Sequence, residues 1–280
     1  MIGLFITINY NSSKNTIEFL QSLITTNMII NNEVIVYDNN SNISEKNLLK
    51  EYLEKISLKN IKLIESDVNY GYFGSASRVI DIIDIKKYDF TVICNNDIII
   101  KDNFQDKLKK TINKYDIIAP KIISMPTGKD QNPFREKPIN GFVRIAYELY
   151  FLNAITGYVF FNLWTLFKKL KKPERLNYSH YEHEIYSPHG SFIIFSKTFF
   201  EKGGFIDKKL FLYAEENFIT AICNRFNLKI GYVPDIVVYH NEHSTTAAFN
   251  FSAKIYKFER KGYKYIKKKY PEFFNLRKLN

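Results

Sequence analysis

Four short apolar runs recur along the first hundred residues: GLFITIN from Gly3, EVIVYD from Glu33, IKLIE from Ile61 and FTVICN from Phe90. Segments of helical length such as KNTIEFLQSLITTN separate them. No other feature constrains the fold so strongly, because parallel strands must be joined by crossovers, usually helical ones. The alternation predicts an α/β fold, a mostly parallel sheet flanked by helices with right-handed crossovers. The first three runs end in the polar clusters NYNSS, DNNSN and SDVNYGYFG. Those clusters should gather on one rim, at the carboxyl ends of the strands, where open α/β sheets bind ligands. The fourth run continues as FTVICNNDIII, with Asn95, Asn96 and Asp97 inside an apolar stretch. Buried polar side chains each need a partner, so the strand should end here. Asp97 is then either a turn former or a ligand group on the rim.

With 45% hydrophobic residues, 8 Pro and 11 Gly in 280 positions, the chain is a packed globule of one large or two small domains. The start, MIGLFITINYNSSK, has no basic segment leading into a long apolar one, so no secretory signal is visible and a cytoplasmic location is expected. Cys94 and Cys223 sit in apolar or helical patterns, as reduced thiols do. Residues 1–125 carry 15 basic and 15 acidic side chains, whereas residues 254–280 carry ten basic and two acidic, +8 of the net +11. That end should meet a negatively charged partner, an anionic membrane surface or a nucleic acid.

From Met125 the pattern changes. Residues 126–186 form an aromatic and basic insertion, uncharged from 149 to 167 and then rich in lysine. Its length approaches a membrane span, but Asn153, Thr156, Gly157, Asn162 and Thr165 dilute it. An interfacial membrane helix, a span and a partner-facing helix pair all stay open. After the insertion come a strand SFIIFS, a helix from about Glu215 to Phe226, and short strands ending at His240. Residues 247–280 read as a basic amphipathic helical tail.

In order, ITINYNSS, VIVYDNNSN, NYGYFGSAS, VICNNDIII, GSFIIFSKTFFEKGGFIDKKLFLYAEEN and YVPDIVVYH resemble the family 2 glycosyltransferases of GT-A fold, of the bacterial cell-surface polysaccharide and rhamnosyltransferase-like type. The likeness runs from Ile2 to about Thr246, omitting the insertion. It implies a nucleotide-sugar-binding half at 1–125 and an acceptor-side half at 187–246. The implied reaction is an inverting transfer of sugar from a nucleotide diphosphate sugar to a hydroxyl, with a divalent metal, Mn2+ or Mg2+, on the leaving diphosphate.

The same resemblance assigns residues. Asp38 matches the nucleotide-binding acid, with Thr7, Asn9, Tyr10 and Asn69 beside it. Asp97 matches the last acid of an Asp-x-Asp motif in which Asn95 replaces the first, with Asn96 between them. His240 matches a further metal ligand. Glu215 and Glu216 match an acidic pair that opens a helix, with Glu216 as general base and Glu215 orienting a sugar. His189 is a candidate acceptor contact. The base chemistry is needed because the acceptor hydroxyl must lose its proton as it attacks.

The expected acceptor is a glycan, lipid-linked, and the expected location is the inner face of the cell membrane; an oligomer is admitted. Two other readings compete: a sugar nucleotidyltransferase, and a non-catalytic binding or scaffolding partner of a transferase complex. NYNSSKN after the first strand lacks the Gly-rich basic phosphate loop that the former chemistry wants. No nucleic-acid-binding motif appears, so nucleic acid is not an expected partner.

Overall fold

The computed structural model describes residues 1–101, 103–170, 181–242 and 251–274. Its first half follows the predicted alternation: β1 (Gly3–Asn9), α1 (Ser13–Thr25), β2 (Asn32–Asn39), α2 (Ile43–Ile56), β3 (Ile61–Ser66), α3 (Tyr72–Asp81) and β4 (Phe90–Asn95). β1 pairs in parallel with both β2 and β4, and β2 with β3. β4 stops at Asn95, where the polar residues begin.

The second half adds β5 (Ile98–Ile100), α4 (Phe104–Thr111), β6 (Ile117–Ser124), α5 (Gly141–Tyr150), α6 (Ala154–Leu170), β7 (His183–Glu184), β8 (Phe192–Ser196), α7 (Lys197–Glu201), α8 (Glu215–Phe226), β9 (Ile230–His240) and α9 (Ala253–Lys269). The sheet order is β3-β2-β1-β4-β8-β6-β9-β5, with β7 on β9. β8 runs antiparallel to both β4 and β6, while β6 and β9 are parallel. The short strands expected before His240 are one strand of 11 residues. Its register against β6 jumps from Pro120↔Val233 to Lys121↔Val237. Pro234 has no N–H to give the ladder, so the strand bulges there and reads in sequence as two pieces.

Two apolar clusters cover the two faces of the sheet. One holds Leu4, Ile6 and Ile8 of β1 with Phe73 of α3 and Phe218 of α8. The other holds Phe5 with Phe19 and Leu20 of α1 and Leu108 of α4. Side chains alternate along a strand, so Thr7 and Asn9 share the face of Phe5 while Ile8 shares the face of α8.

The insertion and the basic tail pack on each other. Phe151 stacks on Tyr263 at 4.6 Å between ring centroids, and Tyr256 donates from its hydroxyl to the carbonyls of Tyr150 at 2.8 Å and Asn153 at 2.6 Å. Gly157 is required here, because a Cβ would lie 2.3 Å from the Tyr256 ring. α9 is tied to the body through Asp207, which accepts from Tyr265 Oη at 2.6 Å, from Tyr270 Oη and from Lys269 Nζ at 3.2 Å. Among the described residues no helix is long and apolar enough to cross a membrane.

Candidate active site

The carboxyl ends of β1, β2 and β4 open into a cleft of about 640 Å³. One wall carries Tyr10, Asn39, Asn69 and Tyr72; the floor carries Asn95, Asn96 and Asp97; the far wall carries His189, Glu215 and Glu216. Of the residues singled out in the sequence, Tyr10, Asn69, Asn95, Asn96, Asp97, His189, Glu215 and Glu216 border the cleft. His240 lies just behind Asp97, since Ile98↔His240 pairing aligns β5 with the end of β9.

Thr7, Asn9 and Asp38 lie on the opposite face of the sheet and do not border the cleft. Asn9 Nδ2 donates to Asp38 Oδ2 at 2.8 Å, and Ser41 N donates to Asp38 Oδ1 at 3.0 Å. Thr16 Oγ1 donates to Asn9 Oδ1 at 2.9 Å, and Asn96 Nδ2 donates to Thr16 Oγ1 at 2.9 Å. This buried chain of hydrogen bonds fixes the turn that presents Asp97. Asn39, one residue on, turns to the cleft: its Oδ1 accepts from Tyr70 N at 2.7 Å and its Nδ2 donates to Asn69 Oδ1 at 2.9 Å. Asn39 thus shapes the Asn69–Gly71 loop. Gly71 has φ +76°, and a Cβ there would lie 1.9 Å from the carbonyl oxygen of Phe211. Tyr72 N donates to that same oxygen at 2.7 Å, which ties this wall to the loop before α8.

Asp97 Oδ1 lies 3.1 Å from His240 Nε2, and the imidazole Nδ1 lies 2.7 Å from Gln131 Oε1. Gln131 accepts there, so Nδ1 carries the proton, and in neutral histidine Nε2 presents a lone pair to the carboxylate. Asp97 Oδ1 has no hydrogen-bond donor, and Asn95 Nδ2 reaches Nε2 at 3.3 Å. Two lone pairs facing each other need a positive charge between or beside them. A divalent cation supplies it as well as a proton does, so Asp97 and His240 fit a metal, with Gln131 orienting the ring. No group of three or more His, Cys, Asp or Glu side chains that could hold a metal ion occurs among the described residues. Substrate oxygens and water would complete the coordination, as is common for Mg2+.

Glu215 and Glu216 open α8 after Ala214, which follows Tyr213 at φ +62°. Glu215 Oε2 accepts from Ala214 N at 2.8 Å, and its Oε1 has no partner. Glu216 Oε1 accepts from Gly190 N at 3.1 Å, and a Cβ on Gly190 would come within 2.8 Å of that oxygen. Burial first, and the charge of Glu216 second, push Glu215 up to about 8. Burial likewise raises Glu216, against the pull of the Gly190 amide and Arg135. A pair of this kind holds a proton near neutral pH. His189 donates its backbone N–H to Asn132 Oδ1 at 2.7 Å, and burial pushes its imidazole down to about 4. Burial raises the Cys94 thiol far out of the nucleophilic range.

Residues that sequence reasoning did not single out also border the cleft: Asn39, Phe211, Tyr213, and Lys254 and Phe258 of α9. Asn39 was one position from the chosen Asp38. Nothing local in the sequence marks Lys254, which reads as one of many lysines in the tail.

The family model for glycosyl transferase family 2 matches residues 4–204. No curated protein matches the chain. Among solved structures, GalNAc-T7 with UDP, GalNAc and Mn2+ matches at 15% identity and TM-score 0.61, covering 98% of this chain and 50% of that one. S. aureus TarS 1–349 in complex with UDP-GlcNAc matches at 17% identity and TM-score 0.60, covering 99% of this chain and 67% of that one. Mannosyltransferase PcManGT from Pyrobaculum calidifontis, in complex with GDP-Man and Mn2+, matches at 12% and TM-score 0.53, covering 97% and 71%. The chain spans half the length of GalNAc-T7. The shared architecture is the GT-A fold.

Proposed function

The chain belongs to glycosyl transferase family 2, and we propose that it transfers a sugar, with inversion, from a nucleotide diphosphate sugar to a hydroxyl of a glycan acceptor. One observation supports this reading: Asp97, with His240 3.1 Å behind it, and the buried acidic pair Glu215 and Glu216 border one cleft. Tyr10 and the Asn39–Asn69 wall receive the nucleotide. Asp38, Asn9 and Thr16 act beneath it by holding the loops. A divalent cation held by Asp97 and His240, when bound, neutralises charge that develops on the leaving diphosphate.

Glu216, held by the Gly190 amide, accepts the acceptor's proton as its oxygen bonds to the anomeric carbon and the bond from that carbon to the phosphate oxygen breaks. The electron pair of the broken bond leaves with the diphosphate, and the proton stays on the carboxylate. Glu215, raised by burial and by the charge of Glu216, keeps a proton near neutral pH and donates a hydrogen bond to a sugar hydroxyl. The acceptor is a lipid-linked glycan of surface polysaccharide synthesis, and the protein works peripherally at the inner face of the cell membrane. Support for this part comes from α9, which lines the cleft through Lys254 and Phe258 and packs on the apolar insertion.

Thermal stabilisation by a panel of nucleotide sugars, with and without Mn2+ or Mg2+, tests the reading. A ligand that binds only the folded state raises its apparent stability. A metal-dependent rise for one nucleotide sugar is expected; no response to any donor under either metal would overturn it.

A further inference from the structure

The insertion exposes an apolar surface that no described residue covers. On α5, Phe142, Ile145 and Leu149 recur at helical spacing and stand outward, Phe142 at 81% exposure. On α6, Ile155, Val159 and Leu163 continue the surface, Ile155 at 77%. α6 packs beside α5, and meets the tail through Gly157, Tyr158 and Phe161, against Tyr256 and Phe251. An exposed apolar face of this size marks an interaction site.

Charge and shape select the occupant. No acidic residue occurs between Glu148 and Glu174, and in sequence α6 runs into Lys168, Lys169, Lys171 and Lys172. Glu148 itself is taken up by Tyr263 Oη at 2.9 Å and Lys267 Nζ at 2.6 Å. The described face is therefore apolar, and in sequence it leads into lysines with no acid between Glu148 and them, which complements an anionic lipid surface. Tyr158 and Trp164, 55% and 63% exposed, add side chains that favour the boundary between headgroups and acyl chains. Among the described residues no helix is long and apolar enough to span a bilayer. We propose that α5 and α6 lie in the interface of an anionic membrane with Phe142, Ile145, Leu149, Ile155, Val159 and Leu163 buried among the lipids. The inference deepens the lipid-linked reading of the acceptor: the helix that packs on this anchor, α9, also lines the cleft, so docking would bring the cleft to the membrane surface.

The chain has one tryptophan, Trp164, on the proposed anchor, so its own fluorescence reports docking. The full-length protein is mixed with phosphatidylcholine vesicles with or without phosphatidylglycerol, and with brominated lipids. Expected are a blue shift and bromine quenching of Trp164 on the anionic vesicles, weakened by salt. Ile155→Glu with Leu163→Glu should cut vesicle partitioning by at least about tenfold, while donor-induced thermal stabilisation stays unchanged. Absence of quenching on anionic vesicles overturns the proposal. So does a wild-type dimer in light scattering that the same double variant dissociates, since the face would then join two copies of the chain. Donor stabilisation is read separately, so failure of the anchor and failure of the transferase reading are distinguishable.

Discussion

Replacing Glu215 by Gln should make the folded protein more stable, increasingly so as pH rises above about 4.5, where the unfolded chain releases a proton that the fold retains. Its side chain is 6% exposed, and only one of its oxygens has a partner. Its carboxyl rises from 4.5 to about 8, mainly through burial and then through Glu216. The folded state thus keeps a proton that the unfolded chain releases between pH 4.5 and about 8. Stability falls as pH rises through that window and levels off above it. At pH 7 the cost is about 3 kcal/mol, because each tenfold change in an acid dissociation constant is worth about 1.4 kcal/mol. Glutamine keeps the shape and the acceptor for Ala214 N–H but carries no charge. The buried amide takes back part of the gain, so we expect about 1–3 kcal/mol, or roughly 2–6 °C in Tm, at pH 8. Near pH 4.5 the two proteins should melt together. Thermal denaturation across pH 4.5–8.5 measures this, and equal melting at pH 8, or destabilisation at every pH, would refute the account of the buried pair.

Other predictions follow from the same geometry. Asp97→Asn should abolish the metal dependence of nucleoside diphosphate binding in calorimetry with and without Mn2+, and His240→Ala should weaken it less; an Asp97→Asn titration that still responds to Mn2+ would remove Asp97 from the metal site. Gly71→Ala should destabilise the fold by more than about 2 kcal/mol, because it meets both a positive φ and the Phe211 carbonyl; urea denaturation checks this, and a change under 0.5 kcal/mol, about the scatter of ordinary surface substitutions, would contradict it.

The first half of the fold could be read from sequence because its strands and helices alternate with clear boundaries. Register on the strand faces could not. β1 and β2 are buried on both faces, so their apolar runs carry no alternation to say whether Asp38 or Asn39 meets the cleft. Asn95, Asn96 and Asp97 were legible because they interrupt such a run. Gln131 and Lys254 were not, since each reaches the site only through tertiary packing, by β6–β9 pairing and the docking of α9.

The central claim is that Glu216 takes the acceptor's proton, and single-turnover transfer at saturating donor tests it most directly. Glu216→Gln keeps the hydrogen bond from Gly190 but cannot accept a proton, so the rate should fall by roughly 10² to 10⁴ with donor and metal affinity retained. Glu215→Gln should lose less. In the wild type the rate should rise with pH through the raised range of the Glu216 carboxyl, because the base must be ionised. Equal small losses in both variants, or the larger loss in Glu215→Gln, would contradict the assignment.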